Sequence, residues 1–118
     1  MSDTTSADCL FCRIVAGGIP ADVVADSERV LAFRDVNPQA PTHVLVVPKR
    51  HVATAAELAD TSPQDLAEVV AVAGQVAEQE GLDDGYRMVF NTGAGAGQTV
   101  FHAHLHVLGG RPLSWPPG

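Results

Sequence analysis

Basic residues are scarce in this chain: 7 lysines and arginines stand against 14 acids among 118 residues, a formal net charge of -7. A surface of that sign repels phosphate backbones at long range and argues against a nucleic-acid partner. Any phosphate ligand must then be held locally. Long apolar runs are missing as well; none approaches the roughly 18 residues of a membrane span, and no membrane partner is expected. The first eight residues, Met1 to Asp8, are polar and acidic. With neither the basic start nor the apolar centre of a secretory signal, they are expected to be disordered and the protein cytoplasmic. No internal repeat divides the remainder, so one domain is expected over residues 9–118, long enough to bury about 65% of its unfolded surface.

Glycine and proline punctuate what is there. Cys9 to Ala16 reads as a short helix closed by Gly17 and Gly18, and Asp22–Ala25 and Arg29–Arg34 as strands about the Asp26-Ser27-Glu28 turn. Thr42–Pro48 is a β-branched run suited to a central buried strand. Ser62-Pro63-Gln64-Asp65 offers an N-cap, a proline at the first helical position and an acid three residues after the cap. Leu66, Val69, Val70, Ala73, Val76 and Ala77 follow at helical spacing until Gly81 ends the helix. Tyr86–Phe90 reads as a strand, Asn91–Gln98 as a very flexible loop and Thr99–Leu108 as a last strand, before a tail with Pro112, Trp115, Pro116 and Pro117. Hairpin strands with one long helical excursion indicate an α+β fold, an antiparallel sheet covered on one face by the helix. An exposed sheet edge gives such a small domain a reason to dimerise.

Histidines are few but concentrated. His102, His104 and His106 alternate with apolar residues, so on a strand the three imidazoles project from one face at Cα spacings of about 6.5–7 Å. Imidazole serves as nucleophile, acid, base or metal ligand. The pattern therefore points either to chemistry or to a three-histidine metal site with an open position. Just before it lies Asn91-Thr92-Gly93-Ala94-Gly95-Ala96-Gly97-Gln98-Thr99, whose glycines let successive N–H groups converge on an anion. This loop lacks the Lys-Ser/Thr of a P-loop, and a strand rather than a helix follows it, which excludes the dinucleotide fingerprint. Backbone and hydroxyl donors beside the imidazoles favour a phosphate over a metal-bound hydroxide. The two cysteines, Cys9 and Cys12, form Cys-x-x-Cys, which in a cytosolic chain suggests metal or redox chemistry before a structural disulfide.

His102-Ala103-His104-Leu105-His106-Val107-Leu108 resembles the His-φ-His-φ-His-φ-φ signature of the histidine triad proteins, φ being apolar. Further segments are similar to the nucleotide-binding, phosphoramidase branch of that family. They are Phe33 to His43, the Val-Pro-Lys-x-His of Val47 to His51, Gly85 to Val89, Gly97 to Val100, and Trp115-Pro116-Pro117-Gly118. The resemblance covers residues 9 to 118. It implies a five-stranded antiparallel sheet with one long helix and a short N-terminal helix, joined across a homodimer. It implies binding of purine nucleoside monophosphates and hydrolysis of nucleoside phosphoramidates through a nucleotidyl-histidine intermediate, with no organic cofactor. A nucleotide-binding scaffold with incidental hydrolysis and a dinucleoside polyphosphate hydrolase are the alternatives.

The resemblance also implies residue roles. His104 would attack the α-phosphorus, while His106 and His43 hold the phosphate or pass a proton to the leaving amine. The backbone of Gly97, Gln98, Thr99 and Val100, the Thr99 hydroxyl and the Asn91 amide would stabilise the phosphoryl oxygens. Asp35 would accept from both ribose hydroxyls, with Leu10, Phe11, Ile14, Phe33 and Val36 forming the base slot. Trp115 would cross to the partner's site and affect leaving-group choice. Some members, mostly microbial, bind zinc through Cys-x-x-Cys and two histidines, matched here by Cys9, Cys12, His51 and His102; zinc there would be structural. Two buried thiols or a redox pair are the other readings of the cysteines, the latter opposed by the lack of a preceding strand.

Overall fold

A computed structural model describes residues 8–118. The expected disorder of residues 1–8 therefore falls, but for Asp8, outside the described residues. The order of elements is α1 (Leu10–Val15), β1 (Val23–Asp26), β2 (Val30–Arg34), β3 (Thr42–Pro48), α2 (Ala55–Thr61), α3 (Pro63–Gln79), β4 (Tyr86–Phe90), a single 3-10 turn (Ala94–Ala96) and β5 (Leu105–Gly109). The strands form one antiparallel sheet in the order β1-β2-β3-β5-β4, the α+β arrangement expected.

β3 lies at the centre with all seven residues buried, as its unbroken β-branched run requires. α3 begins where Ser62 Oγ accepts the Asp65 N–H and Pro63 enters the first turn. It ends at Gly81, whose positive φ of 72° lets the Gly81 and Leu82 N–H groups turn back onto Glu78 and Ala77. Its buried stripe is Val69, Val72, Ala73, Val76 and Ala77, with Val72 in place of the expected Val70, which is exposed. That stripe packs on Val30, Ala32, Val44, Val46, Leu105 and Val107 from the sheet.

The opposite face is not left open. Phe11 of α1 joins Leu31, Phe33, Leu45 and Val47 in a second, smaller core. α1 thus covers part of the face that carries the histidines. A second correction concerns α2, which was not expected: Thr54 accepts the Glu57 N–H at 3.2 Å while the Glu57 carboxylate reaches back to the Ala53 N–H at 3.5 Å. The Thr54-x-x-Glu57 signature of this capping box was present in the sequence. A third is the last strand, which pairs only from Leu105, so Thr99 to His104 approach it as irregular chain.

Two charge clusters tie these layers together. Asp65, at the head of α3, accepts from Arg29 Nη1 at 2.9 Å and Arg50 Nε at 3.0 Å. Arg34 grips Glu80 near the end of α3 with both terminal nitrogens, at 2.7 and 3.0 Å, which gives this arginine a structural role beside Asp35. Among the described residues no helix is long and apolar enough to cross a membrane.

Candidate active site and metal centre

His102 and His104, on the irregular chain before β5, serve different chemistry. The fully buried His102 sets Nε2 at 2.8 Å from the Pro48 carbonyl, so that nitrogen carries the proton and Nδ1 keeps its lone pair. Around Nδ1 stand Cys9 Sγ at 3.4 Å, Cys12 Sγ at 3.5 Å and His51 Nδ1 at 3.2 Å, with Cys12 Sγ also 3.3 Å from His51 Nδ1. One lone pair cannot accept from three donors. A tetrahedral zinc, with Zn–S about 2.3 Å and Zn–N about 2.0–2.1 Å, would separate such atoms by about 3.3–3.8 Å, close to the spacings found. Burial pushes His102 down to about 4, against the Pro48 hydrogen bond and with help from His51 and His104, which keeps it neutral as a ligand must be. The Cys12 N–H on Cys9 Sγ at 3.4 Å completes a donor set that fits zinc.

A second cluster, Asp35, His43 and His106, also gathers possible metal ligands. Its geometry is that of a hydrogen bond. His43 Nε2 and His106 Nδ1 are 2.8 Å apart with ring centroids 5.1 Å apart, a head-on approach of the two rings. The His51 and His102 centroids are also 5.1 Å apart although their nitrogens are 3.2 Å apart, so that pair is bent and its lone pairs converge to one side. The Gln39 N–H donates to His43 Nδ1 at 3.0 Å. His43 therefore carries its proton on Nε2 and donates that N–H in a hydrogen bond to His106 Nδ1, which puts the His106 proton on Nε2, a buried atom with no partner among the described residues. Burial lowers His43, opposed by Asp35. Burial, then the neighbouring His104 and His43, push His106 down to about 4. At 3.4 Å the His43 and Asp35 contact joins a neutral ring to a carboxylate rather than two charges.

His104 donates Nδ1–H to the His102 carbonyl at 2.7 Å, which frees its Nε2 lone pair. The ring lies edge-on against Phe11, 5.0 Å between centroids, and 5.0 Å from His106. His104 and His106 line a cavity of about 670 Å³ together with Leu10, Phe11, Ile14, Phe33, Asp35, Val36, Thr99 and Val100. Most of the expected nucleotide residues thus meet in one place. Ile19, Pro20 and Ala21 also line it; no sequence signal beyond their apolarity marked them.

Asn91, Gly97 and Gln98 do not line this cavity, and the loop differs from the open nest expected. The Gly97 N–H is turned onto Ala94 and the Gln98 N–H onto Gly93, with Gly97 at a φ of 93°. The Gln98 side chain, 2% exposed, donates to the carbonyls of Ala53 at 2.7 Å and Val100 at 3.1 Å and accepts the Gly93 N–H at 2.8 Å. It is a bolt, and it is spent on the chain. Trp115 is 83% exposed on the tail and touches no part of this cavity.

The family model of the HIT domain matches residues 16–113. This chain belongs to the HIT family. Among similar proteins, a 14 kDa zinc-binding protein of Zea mays is 48% identical over 92% of this chain and 87% of its own. A HIT family hydrolase from Legionella pneumophila superposes with a TM-score of 0.90 at 52% identity, over 94% of this chain and 100% of that one. A zinc-bound histidine triad family protein from Mycobacterium smegmatis gives 0.77 at 40% identity, over 92% and 81%.

Proposed function

We propose that this HIT protein hydrolyses the P–N bond of purine nucleoside phosphoramidates, with His104 as the nucleophile. The observation that carries the reading is the His104 ring itself: Nδ1–H is committed to the His102 carbonyl, leaving Nε2 as a bare lone pair on a residue that lines the cavity. Neutral imidazole in that tautomer is a competent nucleophile near pH 7. In the first step Nε2 forms a bond to the α-phosphorus and the P–N bond breaks, the amine leaving with a proton that its nitrogen has taken from solvent while the His106 Nε2–H hydrogen-bonds the reacting group. In the second, water adds to phosphorus, the P–Nε2 bond breaks and returns the lone pair to His104, the surplus proton of the water passes to solvent, and the monophosphate leaves.

Specificity follows from the walls. Phe11, Phe33, Leu10, Ile14 and Val36 offer an apolar slot for a purine, and Asp35 stands at its edge. Its Oδ1 already accepts the Asn37 N–H at 2.8 Å, but a carboxylate has lone pairs enough to accept two ribose hydroxyls as well. The N–H groups of Thr99 and Val100 and the Thr99 hydroxyl are the donors left for phosphoryl oxygens once Gly97 and Gln98 are set aside.

Zinc held by Cys9, Cys12, His51 and His102 would be structural, fixing α1 and its cavity residues Leu10, Phe11 and Ile14 to the chain before the nucleophile. The exposed edge strand β4, with Tyr86 at its start, and the exposed Trp115 support a homodimer joined through that edge, the tail reaching the partner's site. The experiment is to incubate the protein with adenosine 5′-phosphoramidate and follow monophosphate release in wild type and His104→Ala. Turnover confined to wild type supports the reading. Equal turnover, or binding of adenosine monophosphate by both with no turnover, overturns it, the latter in favour of a nucleotide-binding scaffold.

A further inference from the structure

We propose that Arg111 is a positioning residue for the reaction: by clamping the Gln39 peptide it fixes the tautomers of His43 and His106, so that the one free ring N–H points out of the relay toward the leaving group. This rests on the reading of the cavity as a phosphoramidase site in which the His106 Nε2–H hydrogen-bonds the departing nitrogen.

A neutral imidazole has one donor and one acceptor nitrogen, and nothing in the ring itself decides which is which. In a chain of two rings the choice has to be imposed from one end. The far end here is Gln39, whose N–H meets His43 Nδ1 at 3.0 Å. A backbone amide can only donate, so Nδ1 must accept and the His43 proton must sit on Nε2. The 2.8 Å head-on contact then makes His106 Nδ1 the acceptor and leaves its proton on the unpartnered Nε2. Reverse either ring and two protons or two lone pairs face each other in a buried contact, leaving polar atoms without a partner.

The Gln39 amide is therefore the origin of the polarity, yet it sits on an exposed connection between β2 and β3 rather than in the sheet. Arg111 supplies the support. It stands two residues beyond Gly109, which pairs with Thr42 in the sheet. From there its Nε and Nη2 both donate to the Gln39 carbonyl, at 3.3 and 3.1 Å, while Nη1 donates to the Pro112 carbonyl at 3.0 Å. The fork of one guanidinium thus fixes the peptide beside the donating amide and the first turn of the tail together. Inside the loop, Gln39 Nε2 on the Asn37 carbonyl at 3.0 Å gives local support. Arg111 lies outside the cavity, so its effect runs through His43 and His106 and not through contact with substrate.

The test uses the full-length protein, labelled with nitrogen-15 and purified with its bound metal, as wild type, Arg111→Gln and Arg111→Lys. Long-range proton–nitrogen correlation spectra near pH 7 report which ring nitrogen of His43 and His106 carries the proton. Wild type should show protonated Nε2 on both rings. In Arg111→Gln both signals should move toward tautomer-averaged values, kcat with a poor amine leaving group should fall about tenfold as the hydrogen bond to the departing nitrogen is misaligned, and KM should stay within about twofold. Arg111→Lys, which keeps one donor for the Gln39 carbonyl, should recover part of both. Unmoved ring signals in Arg111→Gln overturn the inference, as does a loss carried wholly by KM, which would assign Arg111 to the tail and substrate binding. If the wild-type protein hydrolyses no phosphoramidate while its rings show the stated pattern and Arg111→Gln disturbs it, the functional reading fails and the tautomer lock stands.

Discussion

His102 turns its ring to the two cysteines and His51 and gives its carbonyl to the Nδ1–H of His104 at 2.7 Å. A single residue therefore joins the zinc-fitting cluster to the ring with the free lone pair. The three histidines that look alike in sequence differ in their partners: His102 faces thiols, His104 a carbonyl, His106 another imidazole.

Loss of the metal should be felt as loss of fold before loss of chemistry. Protein purified without an affinity tag should hold close to one zinc per chain. Cys12→Ser should lower both the zinc content and the stability, the latter by on the order of 3 kcal/mol. Zinc analysis with thermal unfolding checks this; less than half an equivalent with freely titrating thiols would contradict it.

Acid should weaken the fold in two stages. His43 and His106 are held below the usual histidine value, His106 at about 4, so between about 6.5 and 4 the unfolded chain binds protons that the folded one does not, and stability falls as pH drops. Below that window the carboxylates take over. Hydrogen bonding from Arg34 holds Glu80 down; burial pushes Asp65 up, but its bonds from Arg29, Arg50 and Ser62 outweigh that and leave it lowered. Urea unfolding at stepped pH should therefore show decline already by pH 5.5, smaller in His106→Gln; a flat profile down to 4.5 would count against it.

Much of this layout was legible in the sequence, and the failures have physical causes. Strands β3 and β4 were readable to the residue because β-branched and alternating patterns end there on Lys49 and Asn91. Period two also placed the three histidines on one extended segment, but it could not show that 99–104 is held by side chains and by the Ala103 N–H on the Val52 carbonyl instead of a ladder. Gln98 is the example: a glutamine between glycines looks like a loop residue, and only tertiary structure reveals its amide buried against Ala53 and Val100. The zinc-fitting cluster and the Gln39–Arg111 contact join residues far apart in the chain, which periodicity cannot report.

Gln98→Ala should cost about 2 kcal/mol, since it strands the Ala53 carbonyl and the Gly93 N–H. Denaturant midpoints measure the loss, and hydrogen exchange at Gly93 should accelerate. Gln98→Glu should fare no better, because a carboxylate would face the two carbonyls that now receive the amide.

Asp35→Asn should erase discrimination by sugar. Calorimetric titration with adenosine and 2′-deoxyadenosine monophosphates should give wild type a clear preference for the ribonucleotide, reduced to within about twofold in the variant. Equal affinities in wild type would remove Asp35 from ribose recognition.

A covalent bond between His104 and phosphorus leaves its mark in the stereochemistry of hydrolysis. A nucleoside phosphoramidothioate of known configuration at phosphorus, hydrolysed in oxygen-18 water, undergoes two in-line displacements if a histidine intervenes and one if water attacks directly. Net retention is expected, with no product from His104→Ala. Net inversion would contradict it.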